Sequence, residues 1–82
     1  MKKDTPPPSE LAQSFKTGIY EHHKGGLYKA HFVGRNSEDY LEEFVVYQSL
    51  DTQYVWIRPL EMFIEEVTYE GKIVPRFKYV SK

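Results

Sequence analysis

The chain contains no cysteine. That excludes a disulfide framework, a thiolate zinc site and a cysteine nucleophile, and it agrees with a reducing compartment. Long apolar runs are missing too, since none approaches the roughly 18 residues a membrane helix needs. The opening "MKKDTPPPSELAQSF" carries two lysines but not the apolar stretch of a secretory signal. The expectation is a cytoplasmic protein with no membrane partner. Catalytic signatures are equally scarce. There is no Gly-x-Ser-x-Gly elbow, no His-Glu-x-x-His and no phosphate loop ending in Gly-Lys-Ser/Thr. Ser9, Ser14, Ser37, Ser49 and Ser81 have no base beside them in the sequence. Glu42-Glu43 and Glu65-Glu66 would each split across the two faces of a strand, as solvated edges rather than an acid/base couple. The sequence points away from an enzyme, and no residue is expected to be catalytic or to hold a cofactor.

What the chain has in abundance is aromatic side chains, 16% of its 82 residues, with seven Tyr and five Phe. A chain this short buries only about 60–65% of its unfolded surface, so large rings are an economical way to fill its core. The net charge of −1 conceals a segregation. Residues 36–70 hold nine acidic side chains against Arg58 alone, whereas residues 1–35 hold six basic against three acidic. The last twelve residues carry four basic side chains and no acidic one. Two arrangements follow: acidic and basic strands pair with each other, or the basic ends meet in a positive patch.

The pattern along the chain is mostly of period two. Residues 1–8 read as a flexible Pro-rich lead-in, and residues 9–82 as a single domain. Ser9 is placed to cap a short helix, "ELAQSF", with Leu11, Ala12 and Phe15 on one side and Gly18 just past its end. "GIYEHH" then puts Ile19, Glu21 and His23 on one strand face and Tyr20 and His22 on the other. Lys24-Gly25-Gly26 supplies a turn, and "LYKAHFVGR" a second strand with Tyr28, Ala30 and Phe32 inward. "NSEDYLEE" reads as a polar excursion, and "FVVYQSL" as a central strand. "YVWIR" is a fourth strand ended by Pro59, "PLEMF" a helical turn, "IEEVTYEGKIVPRF" a hairpin about Glu70-Gly71, and "FKYV" the last strand. The fold class is mainly β: a small closed or half-closed barrel of about five short strands with a short N-terminal helix.

The blocks "GIYEHHKGGLY", "NSE", "EEFVVYQSL", "VWIRPLEMF" and "VPRFKYV" resemble a small bacterial family, domain of unknown function 1653, from Gly18 to Val80. That resemblance implies an SH3-like barrel and carries no known activity. The family pattern favours Tyr-Arg-His-Tyr-Lys-Gly where this chain has Tyr20-Glu21-His22-His23-Lys24-Gly25. His22 therefore matches the family histidine, while His23 stands in place of an aromatic. Asn36 replaces the family's histidine in Asn36-Ser37-Glu38, and Trp56, Arg58, Pro59, Met62 and Phe63 match as they stand.

His22 and His23 point to opposite strand faces, so they cannot share one metal ion, and His31 alone adds no third ligand. No metal site is expected. Two constellations remain. In "VWIRPLEMF", Trp56 and Arg58 share a face opposite Val55 and Ile57, whose burial is expected to leave Trp56 and Arg58 on the more polar side. Arg58 there either forms a structural pair with Glu61, Glu42 or Glu43 or binds a ligand carboxylate or phosphate. Tyr20, His22, Tyr28 and Tyr47 form the second group, as core residues with satisfied polar tips or as one polar-aromatic groove. The candidate ligand-binding set is thus Tyr20, His22, Tyr28, Tyr47, Trp56 and Arg58. The favoured reading is a non-catalytic binding module for a protein, peptide or small molecule. The alternatives are a single-stranded nucleic-acid binder and a homodimer formed by edge-strand pairing.

Overall fold

The computed structural model describes residues 5–82, so the first four residues of the expected lead-in lie outside the described residues. The element order is α1 (Glu10–Ser14), β1 (Gly18–His22), β2 (Leu27–Asn36), β3 (Asp39–Ser49), β4 (Val55–Pro59), α2 (Leu60–Ile64), β5 (Glu66–Tyr69), β6 (Lys72–Pro75) and β7 (Phe77–Ser81). The fold is mainly β, as expected. However, the strands do not close into a barrel. They form one open antiparallel sheet in the order β4-β3-β2-β1-β7, with β5 and β6 paired only to each other. The radius of gyration, 13.8 Å, exceeds the roughly 12 Å of a compact chain of this length, as an open sheet requires.

The count is seven because the hairpin expected about Glu70-Gly71 supplies β5 and β6 beside the five strands of the main sheet; the one stretch that extends further than its local polarity suggested is β3. "NSEDYLEE" contains only a two-residue turn, Ser37-Glu38, and Asp39–Glu43 already belong to β3. The segment after α2 makes a hairpin of its own, turning at Glu70 (φ 51°) and Gly71 (φ 79°) with the paired positive φ values of a tight hairpin loop. At the other end, Ser9 caps α1 by accepting the Ala12 amide. Gly18 is not the cap of this helix: α1 stops at extended Phe15, and Gly18 opens β1 with φ 138°.

The core is largely a chain of touching rings. Phe63 of α2 stacks on Phe77 with centroids 4.1 Å apart and meets Tyr20 and Tyr47 edge-on at 5.1 and 5.3 Å. Phe15 extends the chain by stacking on Tyr20. Leu60, Val45 and Ala30 fill the spaces between them.

Two burial expectations fail for one reason each. Phe32 is 57% exposed rather than inward, because a bulge between Ala30 and Phe32 inserts His31 and flips the alternation beyond it. Val55 and Ile57 are also exposed, Ile57 by 65%. In the β3–β4 register Tyr47 opposes Trp56 and Val45 opposes Arg58, so Trp56 and Arg58 share the inner face with the core. β4 is a sheet edge, and nothing among the described residues covers its outer side.

Candidate functional site

Five of the six candidate residues line one open pocket on the inner face: His22, Tyr28, Tyr47, Trp56 and Arg58. It has a volume of about 420 Å³, and Phe77, Tyr54, Ser49, Asp51 and Thr52 are also among its lining. Tyr20 does not take part. Its hydroxyl donates to the Lys16 carbonyl at 2.6 Å, its ring packs among Phe15, Phe63 and Tyr79, and burial raises its pKa above the ordinary tyrosine value.

Arg58 is half-buried. Its Nε donates to the Tyr47 hydroxyl at 3.2 Å, and its guanidinium carbon lies 5.7 Å from the centroid of the Phe77 ring. It forms no ion pair among the described residues, so the expected structural clamp by Glu61, Glu42 or Glu43 is absent. Glu43 is instead engaged by Ser9, whose amide and hydroxyl both donate to its carboxylate and hold its pKa below the usual carboxylate value. Glu42 accepts from the Asn36 amide group. Among the described residues an ion pair joins Arg76 and Glu65.

His22 ends β1 with its ring against Phe77, 4.9 Å between centroids and nearly perpendicular. The Lys24 amide donates to its Nδ1 at 3.1 Å. A neutral imidazole that accepts at Nδ1 carries its proton on Nε2. Burial first, and then the charges of His23, Arg58, Arg76 and Lys24, lower the His22 pKa, so the neutral ring prevails at pH 7. His23 lies past the end of β1, in the turn, so the two imidazoles are not on opposite strand faces as expected: their centroids are 4.3 Å apart, with the His23 ring also beside the Arg76 carbonyl and edge-on to Tyr69. Among the described residues no group of three or more His, Asp or Glu side chains is arranged to hold a metal ion. Nor is any described helix long and apolar enough to cross a membrane.

Ser49, Asp51, Thr52, Tyr54 and Phe77 line the pocket without having been singled out by sequence reasoning. Ser49 is the most consequential. It is 7% exposed, and its Oγ accepts the amides of Asp51 and Thr52 at 3.1 and 3.0 Å. The signal was present in "SLDT": a serine two and three residues before amides of a turn is a side-chain-capped turn. Nothing local announced that this turn would fold over Arg58.

The comparisons agree with the sequence blocks. The family model described as "Protein of unknown function (DUF1653)" matches residues 18–79. A crystal structure of a protein belonging to DUF1653 from Bordetella bronchiseptica is similar, with 35% identity and a TM-score of 0.76 over 84% of this chain and 91% of that one. Among curated proteins, none matches.

Proposed function

This chain belongs to the DUF1653 family, and from that footing we propose that it is a non-catalytic binding module whose ligand sits in the pocket of His22, Tyr28, Tyr47, Trp56 and Arg58. One observation carries the reading: a half-buried guanidinium is oriented by Tyr47 and Phe77 inside a concave aromatic site, yet no carboxylate among the described residues neutralises it. A structural arginine in such a place is ordinarily paired, because an uncompensated charge held partly out of water is costly. Trp56 is 48% exposed at the mouth, an amphipathic ring available for stacking. The volume is that of a small-molecule site rather than of a protein interface. Chemistry has no support from the same geometry. The Ser49 hydroxyl serves a turn, His22 accepts the Lys24 amide and His31 is bound to Gln48 at 2.9 Å, so no serine–histidine hydrogen bond forms among the described residues.

The reading is tested by NMR titration of the labelled protein with a library of fragments and short peptides. Hits should perturb the Trp56 indole and the Tyr28, Tyr47 and His22 signals together. A library that perturbs only other surfaces removes the pocket as the ligand seat.

A second reading has its own observation. Phe15, Lys16, Lys29, His31, Tyr79 and Lys82 line a separate groove without any acidic side chain. Basic groups beside aromatics are the requirements for a single-stranded nucleic acid. Net charge stands against it.

A further inference from the structure

Hydrogen-bond donors in the pocket outnumber the acceptors that meet them. Arg58 uses Nε on Tyr47, and its Nη groups have no partner among the described residues. The proton of His22 lies on Nε2, since Nδ1 accepts the Lys24 amide, and Nε2 has no partner there either. Ser49 accepts two amides through Oγ, and its own hydroxyl proton is given to no acceptor among the described residues, although the side chain is more than nine-tenths buried. The Arg58 and His22 donors are open to solvent in the pocket rather than sealed, and all three donors are satisfied by one kind of group, an oxyanion.

Charge decides which oxyanion. The pocket lining has one fixed positive group, Arg58, and one fixed negative group, Asp51 on the rim, while His22 is neutral. Arg76 is committed to Glu65. With Asp51 also in the lining, a phosphate dianion would leave two negative charges without a counterpart and a carboxylate only one, and a carboxylate meets the guanidinium with the fork geometry that favours bidentate contact. Around this polar floor stand Tyr28, Phe77, Tyr54 and Trp56, the last two meeting edge-on at 6.3 Å. Such walls suit a flat ring, not a polar chain. Resting on the reading of this pocket as the ligand seat, we propose that it takes an organic monoanion, a carboxylate attached to a planar ring, with the carboxylate held by Arg58, His22 and Ser49 and the ring against Trp56.

The experiment follows the Trp56 indole and Tyr28 signals during titration with benzoate, benzyl alcohol and phenyl phosphate, using wild-type protein so that the comparison does not depend on a variant's folding. Benzoate should bind in the millimolar range open to so small a ligand, and at least about tenfold more tightly than benzyl alcohol. Arg58→Gln, checked for native signal dispersion, should weaken benzoate by about ten- to a hundredfold, the value of a charge-assisted hydrogen bond. Ser49→Ala should weaken it by less. N-acetylphenylalanine distinguishes two sources of the same group: tighter binding than benzoate assigns the carboxylate to a peptide end, weaker binding to a free acid. Benzyl alcohol binding as well as benzoate overturns the oxyanion, and phenyl phosphate binding more tightly than benzoate overturns the monoanion. If none of the three moves the pocket signals, this inference fails. The binding-module reading fails with it only if the fragment library is also silent at the same residues.

Discussion

At the scale of single residues, two positions hold conformations that the sequence leaves little room to change. Gly18 sits at φ 138°, and a Cβ added there would lie 2.4 Å from the Ser81 carbonyl oxygen, which is backbone and cannot swing aside. Gly18→Ala should therefore cost at least about 2 kcal/mol, read as a lowered urea midpoint with an unchanged m-value. A variant of wild-type stability would mean that β1 and β7 do not approach as closely as this. His22 links the pocket to pH. Its folded pKa lies below the ordinary value, so the unfolded chain binds a proton more readily than the folded one. This depressed pKa makes stability fall as pH drops below about 6.5 toward the folded pKa, with no dependence from His22 above that window. Urea midpoints of wild type and His22→Asn, measured between about pH 7.5 and pH 5, should show a steeper acid decline in wild type. Parallel curves would remove the perturbed His22 from the account. Burial is the larger cause of the shift, with the cationic neighbours following it, so added salt should reduce the difference only in part.

At the scale of elements, α1 precedes the matched family segment but completes the core from outside it. Five residues are too few to be helical alone, so α1 is held by tertiary contacts. Ser9 caps the helix and donates to Glu43, the Arg35 guanidinium donates to the Pro6 carbonyl, and Phe15 stacks on Tyr20 and meets Phe63 edge-on at 5.6 Å. Phe15→Ala should cost about 1.5–3 kcal/mol, below the loss for a fully buried ring because Phe15 is only partly buried. Chemical denaturation measures it, and a loss under about half a kcal/mol would show that α1 is ornamental. Most elements were legible in the sequence, since alternation and turn residues such as Lys24-Gly25-Gly26 and Glu70-Gly71 are local facts. What escaped is non-local. The bulge at His31 exists because β2 must keep register with β3, and nothing within "YKAHFV" reports that. Val55 and Ile57 look like core residues, but their burial depends on whether another strand or layer covers the outer side of β4. The pocket was legible in five residues because Tyr28, Tyr47, Trp56 and Arg58 share strand parity across three neighbouring strands, with His22 beside them. Ser49 ends β3 with the parity of Tyr47 and opposite Tyr28, so the same pattern reaches it, whereas Phe77 comes from the last strand, whose approach is set only by the whole fold.

Over the whole molecule, the basic and acidic segments of the sequence pair as strands, β2 against β3, but without ion pairs between them among the described residues. Arg35 lies opposite Glu43 in the register, yet the ion pair formed among the described residues is Arg76 with Glu65, on the loop that flanks the hairpin. Two grooves are each lined by charges of one sign. Glu42, Glu43 and Glu61 line one groove beside Leu11 and Leu60, and Lys16, Lys29 and Lys82 line another beside Phe15 and Tyr79. A molecule of net charge −1 can thus present a locally positive groove, and the magnitude of its salt dependence separates the two functional readings. Three lysines neutralise at most three phosphates, so the slope of log K against log salt on a single strand should be no steeper than about −2. Fluorescence anisotropy with a short labelled oligonucleotide should show weak binding that fades as salt rises, with a shallower slope for Lys29→Glu. Trp56→Ala should leave that slope unchanged, because Trp56 belongs to the other pocket. A slope well beyond about −2, or oligonucleotide affinity lost with Trp56, would require the nucleic acid to run across the Arg58 pocket, and the function would then move from a small carboxylate to a strand threaded over both sites.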